Sequence, residues 1–309
     1  MIGNKKIVVV TPAGRKKYME ILFKYILIEK EIIDEYRIWV NTKDQVDISY
    51  FESLEENHKG FVTLDRRHIE EEDCGENTNI HRFFDLCTES NTVYIRLDDD
   101  VVWLSKNFIK NLAEFRIKNP DPFLVYPAII NNSICDYLFQ NIGYFRNFDN
   151  FDYDCISSIA FTDHYIAEGK HREMLKHIEK LEHISFPITW DLRRYERVSI
   201  NCISWLGEEF ANFDGIVGRD EEAWLSVVKP EELKKPNVIM GSSICSHFAF
   251  GPQRGHLDKT NLLETYRNIS NYISVDPTKL NFDKIEWKNL SDDVKLKLHI
   301  LLSENDIQY

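Results

Sequence analysis

The sequence predicts an α/β fold in which strands and helices alternate around a mostly parallel sheet. An apolar run at 6–10 is followed by a helical pattern over 16–31, whose apolar residues recur every three to four positions. Further strand-like runs follow at 36–41, 61–64 and 92–97, and one further helical pattern follows at 79–88. Because this alternation is typical of parallel sheets covered by helices, we expect one such sheet to organise the first part of the chain.

Size and composition limit the classes of function. The chain has 309 residues, which is enough for a sizeable core, and 43% of them are hydrophobic, as in an ordinary folded protein. Its 51 acidic and 38 basic residues leave a net charge of −13, which argues against general affinity for nucleic acid or anionic membrane. No apolar run has the length of a signal peptide or a membrane span, so we expect a cytoplasmic protein. Peripheral contact with the inner face of the membrane stays open.

The cysteines show no pattern of a disulfide framework or a zinc site. They are scattered along the chain without a CxxC pair, so we expect reduced core residues at all six positions: Cys74, Cys87, Cys135, Cys155, Cys202 and Cys245.

The most informative stretch is a strand that runs into three carboxylates. Residues 92–97 have the alternation of a central strand, and Asp98, Asp99 and Asp100 follow directly. We expect Ser105 to cap the next helix, so the acids would lie at the carboxyl edge of the sheet, where open α/β folds bind ligands. In an extended chain Asp98 and Asp100 point to the same side, which suits Mg²⁺ or Mn²⁺. The alternative is a solvated acidic turn that caps the helix.

The loop after the first strand is a candidate for a nucleotide contact. It lacks both the GxGxxG pattern and the Walker A pattern, so neither a dinucleotide fold nor a P-loop is supported. Arg15 precedes a helix start, where a pyrophosphate would be favoured. For Lys16 and Lys17 a solvated basic helix end is the preferred interpretation.

Two later stretches carry further ionisable groups. A glycine-containing loop within 214–225 delivers Asp220, Glu221 and Glu222 to a helix start, where acids are also common for dipole reasons alone. His247 lies in an otherwise apolar strand-like run, in which a lone histidine is usually a hydrogen-bonded core residue.

The middle of the chain departs from the strand–helix alternation. Residues 131–197 contain a charged helical pattern over 167–181, and histidines accompany it at His164, His171, His177 and His183. These histidines share no face of a helix, so a solvated helix is preferred to a metal site. We expect this region to be an inserted acceptor-side segment.

In combination, the Asp98–Asp100 motif, the Asp220–Glu222 motif and His247 resemble the GT-A type of nucleotide-sugar glycosyltransferase. That type has a nucleotide-binding first strand and loop, a DxD motif at a strand end, a later acidic motif that opens a helix, and often a histidine that completes the metal site. The three motifs occur here in that order. Two registers of the acidic motif, Asp220-Glu221 and Glu221-Glu222, are possible.

The resemblance implies a Rossmann-like GT-A domain over residues 1–255. Its nucleotide-binding half would span about 1–130 and its acceptor-side half about 131–255. Residues 256–309 would form a C-terminal helical extension that packs on the core or on another subunit. Both a monomer and a homodimer are compatible with this arrangement.

The resemblance also implies the roles of individual residues. Asp98, Asp100 and His247 would hold Mn²⁺ or Mg²⁺, and mixed carboxylate and imidazole ligation favours Mn²⁺. An inverting mechanism is favoured, in which an acid accepts the proton of the attacking hydroxyl. Glu221 is the first choice for that base, ahead of Asp220, with Glu222 as a further candidate. In a retaining mechanism these acids would hold the acceptor instead.

The donor would be a nucleotide diphosphate sugar, with a UDP-sugar expected. Its expected contacts are Thr11, Pro12, Ala13, Gly14, Arg15, Asp98, Asp99 and Arg254. Because Gly251, Pro252 and Gly255 flank Gln253 and Arg254, we expect these two residues to close over the diphosphate as part of a mobile loop.

The acceptor would be a glycan hydroxyl, in cell-surface or capsular polysaccharide synthesis. Stacking on sugar faces is considered for Trp190, Trp205 and Trp224, although core packing is the commoner role of tryptophan. Contacts with acceptor hydroxyls are considered for Asn201, Glu208 and Glu209. Two other functions compete. A sugar nucleotidyltransferase also uses carboxylates and Mg²⁺ at a sheet edge, but the 11–15 loop is a poor version of its signature. The third is a non-catalytic carbohydrate-binding protein on the same fold.

Overall fold

The computed structural model describes residues 1–144, 159–179, 186 and 188–273. The strands are β1 (Lys6–Ala13), β2 (Glu35–Val40), β3 (Val62–Asp65), β4 (Thr92–Leu97), β5 (Val101–Leu104), β6 (Val125–Ile130), β7 (Thr189–Leu192), β8 (Cys202–Leu206) and β9 (Asn237–His247). The α-helices are α1 (Lys16–Ile28), α2 (Gln45–Asn57), α3 (Phe108–Lys118), α4 (Ser133–Asn141), α5 (Ile159–Thr162), α6 (His164–Glu179), α7 (Gly207–Ala211), α8 (Glu221–Ala223), α9 (Lys229–Leu233), α10 (Gly251–Leu257) and α11 (Leu262–Ile273). A 3-10 helix spans Asn77–Leu86, and a π-helical turn (Trp224–Val228) joins α8 to α9.

All nine strands in the described part of the chain belong to one sheet. Its order is β3-β2-β1-β4-β8-β6-β9-β5, and β7 pairs with β9. Strands β1 to β4 are parallel to one another, β6 and β9 share their direction, and β5, β7 and β8 run the opposite way. With six of nine strands in one direction and helices flanking the sheet, the predicted α/β, Rossmann-like class is confirmed.

This topology brings chemically useful chain ends to one edge of the sheet. Strands β1, β4, β6 and β9 all end at that edge, while the antiparallel strands β5 and β8 begin there. Turns that are far apart in sequence therefore meet at the carboxyl edge, as expected for an open α/β sheet.

Several element boundaries differ from the sequence-based expectation. Strand β1 continues to Ala13, so Thr11 to Ala13 belong to the strand and not to a loop. The acids are followed by β5 before the helix, because the chain turns back to pair with β9. The predicted capping role of Ser105 is wrong. Helix α3 begins at Phe108 after Asn107, and the Ser105 hydroxyl accepts a hydrogen bond from the Ile244 amide instead.

Helix α6 is solvated on one face only. Lys170 and His171 on it are fully buried, Lys170 donates to Asp136, and the two ring nitrogens of His171 contact the Tyr266 hydroxyl and the Phe248 carbonyl. Burial lowers the pKa of His171 to about 4, despite the contact with the Phe248 carbonyl, so the imidazole is neutral. The buried His171 side chain thereby connects α6 to the Phe248 carbonyl, directly after the end of β9.

Some sequence-based expectations concern residues outside the described ranges. These are the remainder of the inserted segment around 145–158 and 180–185, with Cys155 and His183, and the C-terminal helices expected after 273. The five cysteines within the described ranges are free and buried, as expected for reduced core residues. No helix in the described residues is both long and apolar enough to cross a membrane.

Candidate active site

A cleft of about 580 Å³ opens at the carboxyl edge of the sheet. Its lining comes from β1, the turn after β4, the start of β8, the segment that opens α8, the end of β9 and α10. The charged residues and the histidine that line it are Arg15, Arg96, Asp98, Asp99, Asp100, Arg197, Arg219, Asp220, Glu221, Glu222, His247 and Arg254. All of the predicted metal ligands and all three candidate bases therefore share one cavity with five of the eight predicted donor contacts.

Backbone hydrogen bonds fix the Asp98–Asp100 turn. The Asp98 amide donates to the Asn201 carbonyl at 2.8 Å, and the Val101 amide donates to the Asp98 carbonyl at 3.1 Å. The Phe248 amide donates to the Asp100 carbonyl at 2.8 Å. The turn is thus held between β8 on one side and β9 on the other, which orients its three side chains.

Asp99 connects the turn to the segment after β1. Its carboxylate accepts from the Gly14 amide at 2.9 Å and from the Arg15 Nε at 3.0 Å, and Arg15 Nη2 also contacts it. A side chain at Gly14 would not fit, because a Cβ there would lie 2.6 Å from the Asn41 carbonyl oxygen. Asp99 is 2% exposed, so its role in this structure is to hold Arg15 at the cleft.

Two arginines and His247 surround the Asp100 carboxylate. Its Oδ2 lies 3.0 Å from Arg15 Nη2 and 3.1 Å from Arg254 Nη2, and its Oδ1 lies 3.4 Å from His247 Nε2. Burial alone would raise the pKa of Asp100, but Arg15, His247 and Arg254 outweigh it and hold that pKa well below its usual range. Asp100 is therefore ionised at neutral pH.

His247 is oriented from behind by the turn after β6. Its Nδ1 lies 3.4 Å from the Asn131 carbonyl oxygen, and its ring is 4.5 Å from that of Phe250. A proton on Nδ1 would direct the lone pair of Nε2 toward the Asp100 carboxylate, an arrangement that calls for a proton or a cation between them. Two ligands of one divalent ion lie about 3 Å apart, so the 3.4 Å separation fits a shared cation.

Asp98 is engaged elsewhere. Its Oδ1 accepts from Arg96 Nε at 2.8 Å and its Oδ2 accepts from Asn201 Nδ2 at 3.3 Å. No group of three or more histidine, cysteine or carboxylate side chains is arranged for a metal ion among the described residues. The structure thus brings Asp100 and His247 together and leaves Asp98 bound to Arg96.

Glu221 faces the same arginine. Arg96 Nη2 donates to Glu221 Oε1 at 3.1 Å, and Arg96 Nη1 lies 3.1 Å from Oε2. The Glu221 side chain is 13% exposed. Burial raises its pKa to about 7; Arg96 opposes this rise, whereas Asp98 adds to it. A carboxyl group that titrates near neutral pH at the wall of a cleft suits proton transfer.

The other two acids of this motif have a different partner. Arg197 donates to Glu222 at 2.9 Å and to both carboxylate oxygens of Asp220, at 3.0 and 2.9 Å. Asp220 also caps α8 by accepting from the Ala223 amide at 3.1 Å. The structure therefore separates Glu221 from its two neighbours, a distinction that the sequence left open.

The arginines Arg96 and Arg197 were not among the predicted site residues. A charged residue inside the otherwise apolar 92–97 strand was the available signal for Arg96, because a buried guanidinium requires a carboxylate partner. Arg197 gave no comparable signal, since it lies outside regular secondary structure.

Some predicted contacts lie away from the cleft. Thr11 is fully buried and accepts a hydrogen bond from the Tyr36 hydroxyl, and Ala13 is buried in β1. Glu208 pairs with Lys5 and Glu209 with Lys235, so the expected hydroxyl contacts are not supported for them. Pro12 and Asn201 do line the cavity.

The tryptophans do not line the cleft, and the segment expected to be a mobile loop is helical. Trp205 is fully buried and stacks on Tyr94, while Trp190 and Trp224 are half-buried and do not line the cleft. The segment expected as a mobile loop is helix α10, and Gln253 on it is fully buried. Its side chain donates to the Ala160 carbonyl, which fixes the helix in place. Arg254 still reaches the cleft.

Comparisons with known proteins give no family assignment. No protein-family model and no curated protein matches the chain. Solved structures that resemble it include a mycobacterial protein, with 12% identity and a TM-score of 0.45 over 79% of this chain and 67% of that chain. Another is CMP:2-keto-3-deoxy-manno-octonic acid synthetase complexed with CTP, with 13% identity and a TM-score of 0.43 over 86% of this chain and 99% of that chain. Similarity at this level says nothing about activity, so function is argued from the cleft.

Proposed function

We propose that the chain transfers a sugar from a nucleotide diphosphate sugar to a hydroxyl group of a glycan acceptor. The observation that carries the proposal is the position of Glu221, a carboxyl group with a pKa of about 7, in the same cleft as the Asp100–His247 pair. Glycosyl transfer needs a proton acceptor for the attacking hydroxyl and positive charge for the departing diphosphate. The cleft offers both.

Arginines supply the positive charge at the donor end. Arg15, in the segment between β1 and α1, and Arg254, in α10, converge on Asp100, with side chains that are 31% and 33% exposed. Guanidinium groups bind phosphate oxygens in a bidentate manner, so a diphosphate that enters the cleft can draw on both. Asp99 keeps Arg15 at this position through its contacts with Nε and Nη2.

Asp100 and His247 would hold a divalent ion at the same end. Bound there with substrate phosphates as further ligands, Mn²⁺ or Mg²⁺ would act as a Lewis acid that stabilises charge on the leaving diphosphate. The residues themselves orient the site: Asn131 fixes the His247 ring, and the two flanking backbone contacts fix the turn that carries Asp100.

Glu221 would accept the proton of the attacking hydroxyl at its carboxylate. Arg96 donates to Oε1 at 3.1 Å and its Nη1 lies 3.1 Å from Oε2, so the group has a defined direction before the acceptor arrives. Asp220 and Glu222 are bound by Arg197 and would shape the acceptor side of the cleft. An inverting outcome follows if Glu221 acts as this base.

A sugar nucleotidyltransferase is the second candidate, and the position of Arg15 favours it. This arginine lies in the segment directly after β1 and lines the cleft. A sugar nucleotidyltransferase places basic groups for a nucleoside triphosphate in this segment. The two reactions differ in their products, since nucleotidyl transfer releases pyrophosphate and glycosyl transfer releases a nucleoside diphosphate.

Product analysis distinguishes the two candidates. The purified chain is incubated with a panel of UDP-, GDP- and ADP-sugars and simple glycosides, and separately with nucleoside triphosphates and sugar phosphates, each with and without Mn²⁺. Release of nucleoside diphosphate that requires an acceptor supports glycosyl transfer. Release of pyrophosphate supports the second candidate and overturns the first. The absence of both products with every substrate contradicts both.

Two variants connect the product to the cleft. Glu221→Gln should lower turnover by about 100-fold or more, because general base catalysis contributes roughly that much. Glu232→Gln is the matched control, since Glu232 is exposed on α9 and pairs only with Lys229 among the described residues. Wild-type turnover by Glu221→Gln would remove Glu221 as the base.

A further inference from the structure

Arg96 is an unusual residue for the middle of a central strand. It lies in β4, between β1 and β8, and is 2% exposed. An isolated guanidinium at such a position would be very costly, so its partners must offset the desolvation. The partners that the structure describes are two carboxylates from distant parts of the sequence, Asp98 and Glu221.

Nε and Nη2 of Arg96 donate hydrogen bonds to carboxylates, and Nη1 lies within ion-pair distance of one. Nε donates to Asp98 at 2.8 Å, and the two Nη atoms lie 3.1 Å from the two oxygens of Glu221. The guanidinium carbon also lies 5.5 Å from the ring centre of Phe83 and 5.9 Å from that of Phe84. The planar guanidinium group lies against these aromatic rings and has little freedom to move. A lysine ammonium could not reproduce this fixed geometry.

Glu221 depends on this contact for its direction. It belongs to the first turn of a very short helix, α8, and its neighbours on both sides are bound by Arg197. Within the described residues, Arg96 is the cation that pairs with Glu221. The ionisable groups that act most strongly on Glu221 are Arg96, Asp98 and Glu222.

We propose that Arg96 is a positioning residue that orients the Glu221 carboxylate in the cleft by tying it to Asp98. The inference rests on the proposed function, in which Glu221 is the base. It adds that the donor-side motif and the base are connected through one buried side chain. Arg96 acts through Glu221 and needs no contact with substrate.

A double-mutant cycle tests this connection. Turnover is measured for the full chain, for Arg96→Lys and Arg96→Gln, for Glu221→Gln, and for each Arg96 variant in the Glu221→Gln background. In the wild-type background both Arg96 variants should lose at least about ten-fold in kcat. In the Glu221→Gln background the same changes should alter the residual kcat by less than about two-fold, because the residue through which Arg96 acts is already disabled.

Arg67→Lys is the matched control. Arg67 also bridges two carboxylates, Asp65 and Asp85, but it does not line the cleft. Its substitution should leave kcat unchanged in both backgrounds.

The outcomes separate the inference from the proposed function. An equal loss of at least about ten-fold in both backgrounds would show that Arg96 acts without Glu221 and would overturn the inference. Wild-type turnover by Glu221→Gln would contradict the proposed base, whatever the Arg96 variants do. If Arg96→Gln does not fold, Arg96→Lys, which keeps the buried charge, carries the test. Failure of both variants to fold would assign Arg96 a purely structural role and would also overturn the inference.

Discussion

His247 and Asp100 face each other at the carboxyl edge of the sheet, with 3.4 Å between Nε2 and Oδ1. They come from β9 and from the turn after β4, and both side chains are 3% exposed. We propose that this buried imidazole and this ionised carboxylate are two ligands of a cation.

Removal of either member of the pair should weaken metal binding. We expect His247→Ala and Asp100→Asn each to raise the dissociation constant of Mn²⁺ at least about ten-fold, since even the loss of an outer partner of a metal ligand costs that much. Asp98→Asn should have a smaller effect, because Asp98 is bound to Arg96 and Asn201. Electron paramagnetic resonance titration with UDP present measures these constants.

His256→Ala provides the control for this titration. Its imidazole pairs with Glu168 and lies outside the Asp100 contacts. Wild-type Mn²⁺ affinity in both His247→Ala and Asp100→Asn would contradict the proposed metal site.

The pKa of Glu221 predicts the pH dependence of turnover. A base must be deprotonated, so kcat/KM should fall about ten-fold for each pH unit below a pKa of about 7. Initial rates between pH 5 and pH 9, at constant ionic strength, should show this acidic limb in the wild-type protein and not in the residual activity of Glu221→Gln. A flat profile across that range would exclude Glu221 as the group that titrates.

The same raised pKa also affects stability, which should decrease as pH rises, whereas turnover should increase. Burial raises the pKa of Glu221 above its unfolded value, so the folded protein binds more protons here than the unfolded chain does. The contribution of Glu221 to the free energy of unfolding should therefore be fully present below the unfolded pKa of about 4.3 and lost as pH rises through about 7. Urea unfolding of wild type and Glu221→Gln at several pH values measures this difference.

Arg254 should contribute to donor affinity. Its Nη2 lies 3.1 Å from Asp100 and 3.0 Å from the Ala249 carbonyl, and its side chain is one-third exposed toward the cleft. Loss of a charge-assisted contact with a phosphate should raise the dissociation constant of a nucleoside diphosphate about 10- to 100-fold in Arg254→Ala. Calorimetry with UDP, GDP, ADP and CDP measures this change.

Arg172→Ala is the corresponding control. Arg172 is exposed on α6 and pairs with Glu168, away from the cleft. Unchanged affinity and turnover in Arg254→Ala would remove this arginine from the donor site.

The buried Lys170–Asp136 pair should matter more for folding than for chemistry. Both side chains are fully buried, and Asp136 also accepts from the Asn131 amide, next to the carbonyl that contacts His247. Lys170→Met should lower the free energy of unfolding by about 3–5 kcal/mol, because it leaves a buried carboxylate without its cation. Much of this loss should return in Lys170→Met combined with Asp136→Asn, as measured by urea unfolding.

A second lysine on the same helix calibrates this result. Lys176 is half-exposed and pairs with Glu173, so Lys176→Met should change the free energy of unfolding by less than about 1 kcal/mol. Equal effects of the two substitutions would show that the buried pair is not a distinct source of stability.

Local patterns in the sequence were sufficient for the α/β class and for most of the central strands. Apolar alternation before Asp98 predicted β4 to its last residue, because a strand buried on both faces leaves a continuous record in its composition. Short elements were not predictable in the same way. Strand β5 has only four residues, and it exists because β9 offers it a partner, which no local window contains.

The same division applies to the candidate site. The residue types at 98–100, 220–222 and 247 indicated chemistry by their order along the chain, and three adjacent carboxylates at a strand end repel one another unless they have partners. Only the tertiary structure decided that Asp98 faces Arg96, that Asp100 faces His247, and that Glu221 is separated from Asp220 and Glu222. These choices depend on distances between groups as far apart in the chain as Asp100 and His247, and such distances are determined by sheet order and packing, which local propensity does not encode.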